Sequence, residues 1–312
     1  MRESAESPRV SAPRRPFALA RPAALALMVI APVLWSIAGV LTRQIETARP
    51  LELAFWRSSF CAAFVALALC LLHRGRMLST LRGIGLPGLM SGVMWATMFT
   101  TFIIALRLTT TANVLVVCSL GPLFTAILSW LVLREPVPAR TWLAIGIAVL
   151  GMGAMFGAGF TAGDTRHLAG MVLALSIPIA AAINVVTLRR AGAHLDLMPA
   201  VLVGACLSAL ATWPWAFPGD ASARDLGVLA VLGVFQIGLP CLLLVVASRT
   251  LRAPEIALLG LLEVVLGPLW SWLGAGEVPS MATVAGGLLV LTALAGNALF
   301  PGPPLRRPGI SR

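Results

Sequence analysis

Apolar runs about twenty residues long, separated by short polar connections, set the pattern of this chain. A helix needs about 20 mostly apolar residues to cross a bilayer. Ten stretches meet that length: roughly 22–42, 51–72, 86–106, 111–133, 139–158, 168–188, 197–217, 226–247, 254–274 and 281–300. The pattern predicts an all-α integral membrane protein with ten transmembrane helices and no segment long enough for a soluble domain. Residues 1–21 are polar, carry several Arg and Pro, and read as a disordered N-terminal tail. Residues 301–312, PGPPLRRPGISR, form a C-terminal tail whose prolines cannot continue a helix. A basic start before an apolar run also describes a signal peptide. Here the run is too long, and its end, GVLTRQIE, has no small-residue cleavage site, so an uncleaved first helix is expected.

One stretch occurs twice. Ala105–Glu135 (ALRLTTTANVLVVCSLGPLFTAILSWLVLRE) and Ala247–Glu277 (ASRTLRAPEIALLGLLEVVLGPLWSWLGAGE) align without a gap. They match at Arg107/Arg249, Ser129/Ser271, Trp130/Trp272, Leu131/Leu273 and Glu135/Glu277. Apolar matches are cheap in so apolar a chain, and the weight rests on Arg, Trp and Glu in register. Pro32 and Arg43 also match Pro178 and Arg189 at nearly the same offset. Self-similarity at a long fixed offset marks two units on one plan, here 22–158 and 168–300, with five predicted helices each. An odd number per unit makes the second unit enter the membrane from the opposite side. The repeats are then inverted, as in secondary transporters with a site near the midplane.

Composition and charge narrow the picture. Charged residues make up 11% and hydrophobic ones 59%, against about 25% charged in a soluble domain. A net charge of +11 would point to nucleic acid in a soluble protein. Here every basic residue is Arg, and the arginines gather in short clusters between apolar runs, so a lipid bilayer and no nucleic acid is expected as partner. With the N-terminus inside, seventeen arginines fall on the inner side. Only Arg43, Arg49, Arg107, Arg166 and Arg224 fall outside, and Arg57 lies within a span. The positive-inside rule then puts both termini in the cytoplasm. Much Ala, Gly and Arg without Lys points to a GC-rich bacterial genome, and so to the plasma (inner) membrane. Cys61, Cys70, Cys118, Cys206 and Cys241 all lie in apolar runs without a C-x-x-C pair. Neither disulfides nor a metal site is expected from that spacing, and no cofactor is expected.

Ten spans in two five-helix repeats resemble the drug/metabolite transporter superfamily, specifically its EamA-type exporters. The residues that carry the resemblance are Trp35-Ser36, Phe55-Trp56-Arg57, Leu120-Gly121-Pro122-Leu123-Phe124 leading to Leu133-Arg134-Glu135, and, in the second half, Leu262-Glu263 and Gly276-Glu277. It covers about residues 22 to 300. The family often has Pro after the Leu-Glu of the ninth helix, where this chain has Val264. The resemblance implies a proton-linked or facilitative exporter of amino acids or other small metabolites. A homodimer is a candidate assembly.

Polar residues inside spans are the candidate site. Glu263 falls roughly 14 Å into the ninth helix at 1.5 Å per residue, near mid-membrane. A charge there is costly and marks a pathway or a proton site, so Glu263 is the candidate for proton coupling; a protonated Glu bonded to a neighbouring helix is the competing reading. Its face reads Gly260, Glu263, Gly267, Trp270, Gly274. Arg57 lies about a turn and a half into the second helix. It is a candidate anion contact, set against snorkelling to the interface or pairing with Glu52. Asn113, Asn184 and Gln236 are candidate lining residues, set against helix-to-helix hydrogen bonding. Trp35 and Trp95 lie deeper than an interfacial belt and complete the candidate substrate pathway. Glu135 and Glu277 fall at span ends on opposite sides, where a role in the following turns is expected.

GIGLPG at 83–88 matches a dinucleotide fingerprint, but no strand precedes it and Pro87 opens a membrane helix. His73, His167 and His194 fall at span ends or in loops, and neither G-x-S-x-G nor H-E-x-x-H occurs, so an intramembrane enzyme is not expected. A secondary transporter of a small metabolite is the leading reading, and a channel or scaffold without coupled transport the alternative. The topology is directly testable. Reporter fusions after Arg76, Arg140, Arg190 and Arg312 should report cytoplasm, and those after Arg166 and Asp220 periplasm. Residues 160 and 190 reporting the same side would remove the inverted arrangement.

Overall fold

Lipid offers no partners to backbone polar groups, so a segment that crosses it must satisfy its own hydrogen bonds, as a helix does. The computed structural model describes residues 20–72, 77–134, 139–161, 165–191, 198–247, 250–251 and 253–299, and among them there are helices and no strands. Residues 1–19 and the expected C-terminal tail, with Glu135, Arg249, His73 and His194, lie outside the described residues.

In chain order, α1 (Arg21–Ser36) and α2 (Ala38–Arg43) form one apolar stretch. It is followed by α3 (Pro50–Leu72), the short α4 (Met77–Arg82) and α5 (Gly85–Leu108). α6 (Thr111–Cys118) and α7 (Gly121–Leu128) run into a π-helical turn, Ser129–Leu133, before α8 (Ala139–Thr161). The second half has α9 (Thr165–Ala191) and α10 (Met198–Ala216). Then α11 (Ala223–Val231) passes through a π-helical turn, Leu232–Gly238, into α12 (Leu239–Ala247), and α13 (Ala253–Ala275) and α14 (Met281–Leu299) complete it. Among the described residues helix falls on each apolar stretch read from the sequence, interrupted at Ile37 and at Ser119 and Leu120. By length and composition, seven helical stretches can cross a membrane among the described residues. Within α8, α13 and α14 the apolar segments Trp142–Gly151, Leu262–Ala275 and Met281–Ala293 are shorter.

The halves interlock. α1 packs on α12 and α13, α5 on α9 and α10, α3 on α10 and on the second π-helical turn, α9 on α6 and α7, and α8 on α14. Exchanging the halves returns the same set: α1 with α13 becomes α9 with α6 and α7, α5 with α9 becomes α12 with α1, and α3 with the π-helical turn becomes α10 with α5. One apolar core joins Cys61, Val65 and Leu69 of α3 and Phe99 of α5 to Val201 and Ala205 of α10 and Cys241 and Val245 of α12. Large apolar side chains such as Leu71, Leu86, Leu150 and Leu210 point outward and exposed, the surface a bilayer covers. Trp130, Trp142, Trp213, Trp215 and Trp272 are also exposed, near helix ends, where an interfacial belt places them.

Two backbone turns confirm the register of the repeat. The gapless alignment pairs Arg134 with Gly276, and both adopt left-handed φ, +54° and +66°. In the second half this turn lets the Gly276 N–H bond the Trp272 carbonyl and the Glu277 N–H the Ser271 carbonyl, which folds Glu277 back over the helix end. Left-handed backbone costs a non-glycine residue roughly 1–2 kcal/mol. Arg134→Gly should therefore raise stability by about 1 kcal/mol and Gly276→Ala lower it by about as much, read from thermal unfolding in detergent.

Candidate functional site

Arg57 is among the largest fully buried side chains, 1% exposed. It neither snorkels outward nor pairs with Glu52, as two of the sequence readings had it. Its position on α3 faces the bundle, and the guanidinium turns between helices. One terminal nitrogen donates to Gln236 Oε1 at 3.1 Å and the other to the Phe99 carbonyl at 2.6 Å. The guanidinium carbon lies 5.8 Å from the Phe102 ring centre, within cation–π range. Its Nε has no hydrogen-bond partner. Gln236 sits in the Leu232–Gly238 π-helical turn, and its Nε2 donates to the Trp35 carbonyl at 3.3 Å. Gly233 makes this approach feasible: a Cβ there would lie 2.6 Å from both the Arg57 carbonyl oxygen and Phe60 Cβ. Trp35, Arg57 and Gln236 are thus linked through the Gln236 amide.

Glu263 is half-buried on α13, with no hydrogen bond or ion pair to its carboxylate among the described residues. Its own face is uneven. A side chain at Gly267 would collide with Leu115, whereas one at Gly260 would meet nothing within 4 Å. The helix packs tightly on one side of Glu263 and leaves open space on the other. Trp95 packs into the apolar core that Trp35 also borders, 5.4 Å from Phe99 ring to ring. Asn184 on α9 is buried, and its Oδ1 has no partner.

Asn113 belongs to a different group. Its Nδ2 donates to Thr109 Oγ1 at 3.1 Å and meets His167 Nε2 at 2.5 Å, while its Oδ1 accepts from Thr283 Oγ1 at 2.6 Å. Around it the two halves meet through carboxylates. Glu277 accepts from Arg43 Nε at 3.1 Å, from Thr111 Oγ1 at 2.9 Å and from the Thr111 backbone N–H that opens α6. Asp225 accepts from the backbone N–H groups of Glu46, Thr47 and Ala48 and from the Thr47 hydroxyl. Glu52 accepts from the N–H groups of Arg49, Asp220 and Ala221. Each of the three reaches the opposite half. A role for Glu277 confined to its following turn is therefore corrected: the left-handed Gly276 aims it across the interface. Nothing in the spacing of Glu52 or Asp225 signals this; only their place beside short polar connections does. Among the described residues, no three His, Cys, Asp or Glu groups gather as a metal site requires.

The comparisons follow from this fold. The sequence profile of the EamA-like transporter family matches residues 22–157 and again 168–299. The pseudopaline exporter CntI of Pseudomonas aeruginosa (strain UCBPP-PA14) is 26% identical over 271 residues, 86% of this chain and 93% of its own length. Solute carrier family 35 member G1 of Homo sapiens is 22% identical over 287 residues, 85% of this chain and 76% of its own. A solved crystal structure superposes with a TM-score of 0.63 at 22% identity, over 88% of this chain and 97% of that one, which carries the fold alone. The small-compound transport of the family and the apolar helices make this a multi-pass membrane protein with a small-molecule cargo. The chain, matched twice along nearly its whole length, belongs to the EamA-like transporter family.

Proposed function

We propose that the protein is a secondary exporter of a small metabolite across a bacterial inner membrane, working by alternating access between two inverted five-helix repeats with both termini in the cytoplasm. The observation that carries this is the twofold family match together with helix contacts that exchange of the halves leaves unchanged. Such an arrangement has two equivalent ways to close, one toward each side. Relatives named for pseudopaline export support the outward direction. The ten spans include α8, α13 and α14, whose full lengths of 19 to 23 residues suffice to cross a bilayer.

In this reading Trp35, Trp95, Asn184 and Gln236 line the path, and Glu263 exchanges protons as its exposure alternates. The free space beside Gly260 and the unpartnered carboxylate support that role for Glu263. Asn113, with its amide engaged on both sides, holds helices together instead.

Purified protein in vesicles, loaded with a metabolite panel, should give saturable and competable flux; unsaturable flux would mark a pore. Glu263→Gln keeps size and most hydrogen bonding but cannot titrate. It should lose transport driven by a pH gradient while retaining substrate-for-substrate exchange, and unchanged gradient dependence would return Glu263 to helix packing. Single cysteines at 35, 95, 184, 236 and 263 in a cysteine-free background should react with water-soluble reagents. Labelling only by lipid-phase reagents would remove them from the path.

A further inference from the structure

We propose that Arg57 is the cargo's anchor: the Nε edge of its guanidinium binds a carboxylate, which makes the substrate class a carboxylate-bearing metabolite. This rests on the transport reading above and deepens it.

A guanidinium carries five N–H donors and a permanent charge. Here two nitrogens have partners, Gln236 Oε1 and the Phe99 carbonyl, and both acceptors are neutral. The third, Nε, has none although the side chain is 1% exposed. The acid nearest on its own helix, Glu52, is occupied with backbone N–H groups of Arg49, Asp220 and Ala221. No carboxylate pairs with Arg57 among the described residues. An unpaired cation inside a membrane bundle is costly and marks a substrate or ion path.

The fold holds the guanidinium with both terminal nitrogens bonded and Nε free. Gln236 cannot turn away, because its own Nε2 is bonded to the Trp35 carbonyl. The π-helical turn that carries it is pressed on α3 at Gly233. π-Helical turns are rare and recur at functional sites. A planar two-oxygen anion matches a guanidinium edge with two parallel hydrogen bonds. Carboxylate is favoured over phosphate by charge: the neighbours Phe99, Phe102 and Gln236 bring no second cation. A phosphate ester carries about −1.5 to −2 at neutral pH. Phe102, half-buried over the guanidinium, is the side chain that turns aside on entry.

The test uses the full chain in detergent, with thermal unfolding read from intrinsic tryptophan fluorescence. The probes are acetate, benzoate, leucine and glutamate, each run against its amide, with inorganic phosphate as a further arm. At least one carboxylate should raise the unfolding temperature of the wild type while its amide does not. Arg57→Lys should weaken that response roughly tenfold, because a point charge replaces the bidentate fork. Gln236→Glu supplies a carboxylate from the chain itself, so it should raise the ligand-free unfolding temperature and abolish the response. The proposal is overturned if no carboxylate shifts the wild type, if amides or phosphate shift it equally, or if Gln236→Glu responds as the wild type does. Should Gln236→Glu not fold, an undiminished response in Arg57→Lys overturns it alone. Vesicle flux of a neutral compound, untouched by carboxylates, would sink the anchor and leave transport standing. Carboxylate binding without flux would do the reverse.

Discussion

Backbone N–H groups in the short connections between helices, and at the start of α6, are what tie the two halves of this chain together on one face. Such groups have no acceptor within a helix, and a buried donor without a partner costs about 1–3 kcal/mol. Three carboxylates take up these donors, and each does so across the interface. Glu277 serves Thr111, Asp225 serves residues 46–48, and Glu52 serves residues 220–221. Hydrogen bonds to a charged acceptor contribute roughly 1.5–3 kcal/mol each. At a rim, water can take over the same bonds one at a time. On the proposed mechanism, such a closure is firm when complete and separable in steps, which apolar packing of the same strength would not be.

The halves share a plan but not every detail. The left-handed turn after the repeated stretch is preserved, by Arg134 in one half and Gly276 in the other. The fourth predicted span breaks after Cys118, where Ser119 and Leu120 form a turn, whereas α13 runs unbroken from Ala253 to Ala275. The Leu232–Gly238 π-helical turn brings Gln236 to both Arg57 and the Trp35 carbonyl. Gly233 and Gly238 allow that turn to lie against α3, where side chains would meet Phe60 and Phe64.

Much of this was legible in the sequence. Helix positions follow from apolar run length, because lipid leaves few alternatives. The repeat register followed from Arg, Trp and Glu matches, and the paired left-handed turns agree with it. Trp35 and Trp95 stood out as too deep for an interface, and Gln236 as an amide inside a span. The carboxylate network was not legible. An acid at the end of an apolar span reads the same whether it caps its own turn or reaches another segment, and Glu277 bonds a residue 166 positions away. The choice among the Arg57 readings was not legible for a related reason. Its depth fits snorkelling, pairing or an anion contact alike, and only the burial of its side chain against Phe99 and Gln236 removes the first two.

Arg57 and Glu263 are ionisable groups of opposite sign inside the bundle, yet among the described residues neither pairs with the other. Two such groups in direct contact would neutralise each other, and the interior would gain stability at the cost of its receptivity. A cargo would then have to displace an internal ion pair, whose removal of one partner costs about 3–5 kcal/mol when buried. Holding them apart with neutral partners avoids that cost. Gln236 and the Phe99 carbonyl orient Arg57 without cancelling its charge, and Glu263 keeps open space beside Gly260. On the proposed mechanism, a carboxylate at Arg57 and a proton at Glu263 each relieve a separate unpaired charge. Each then favours the closed arrangement by its own differential affinity, the only means by which a ligand can shift a conformational equilibrium.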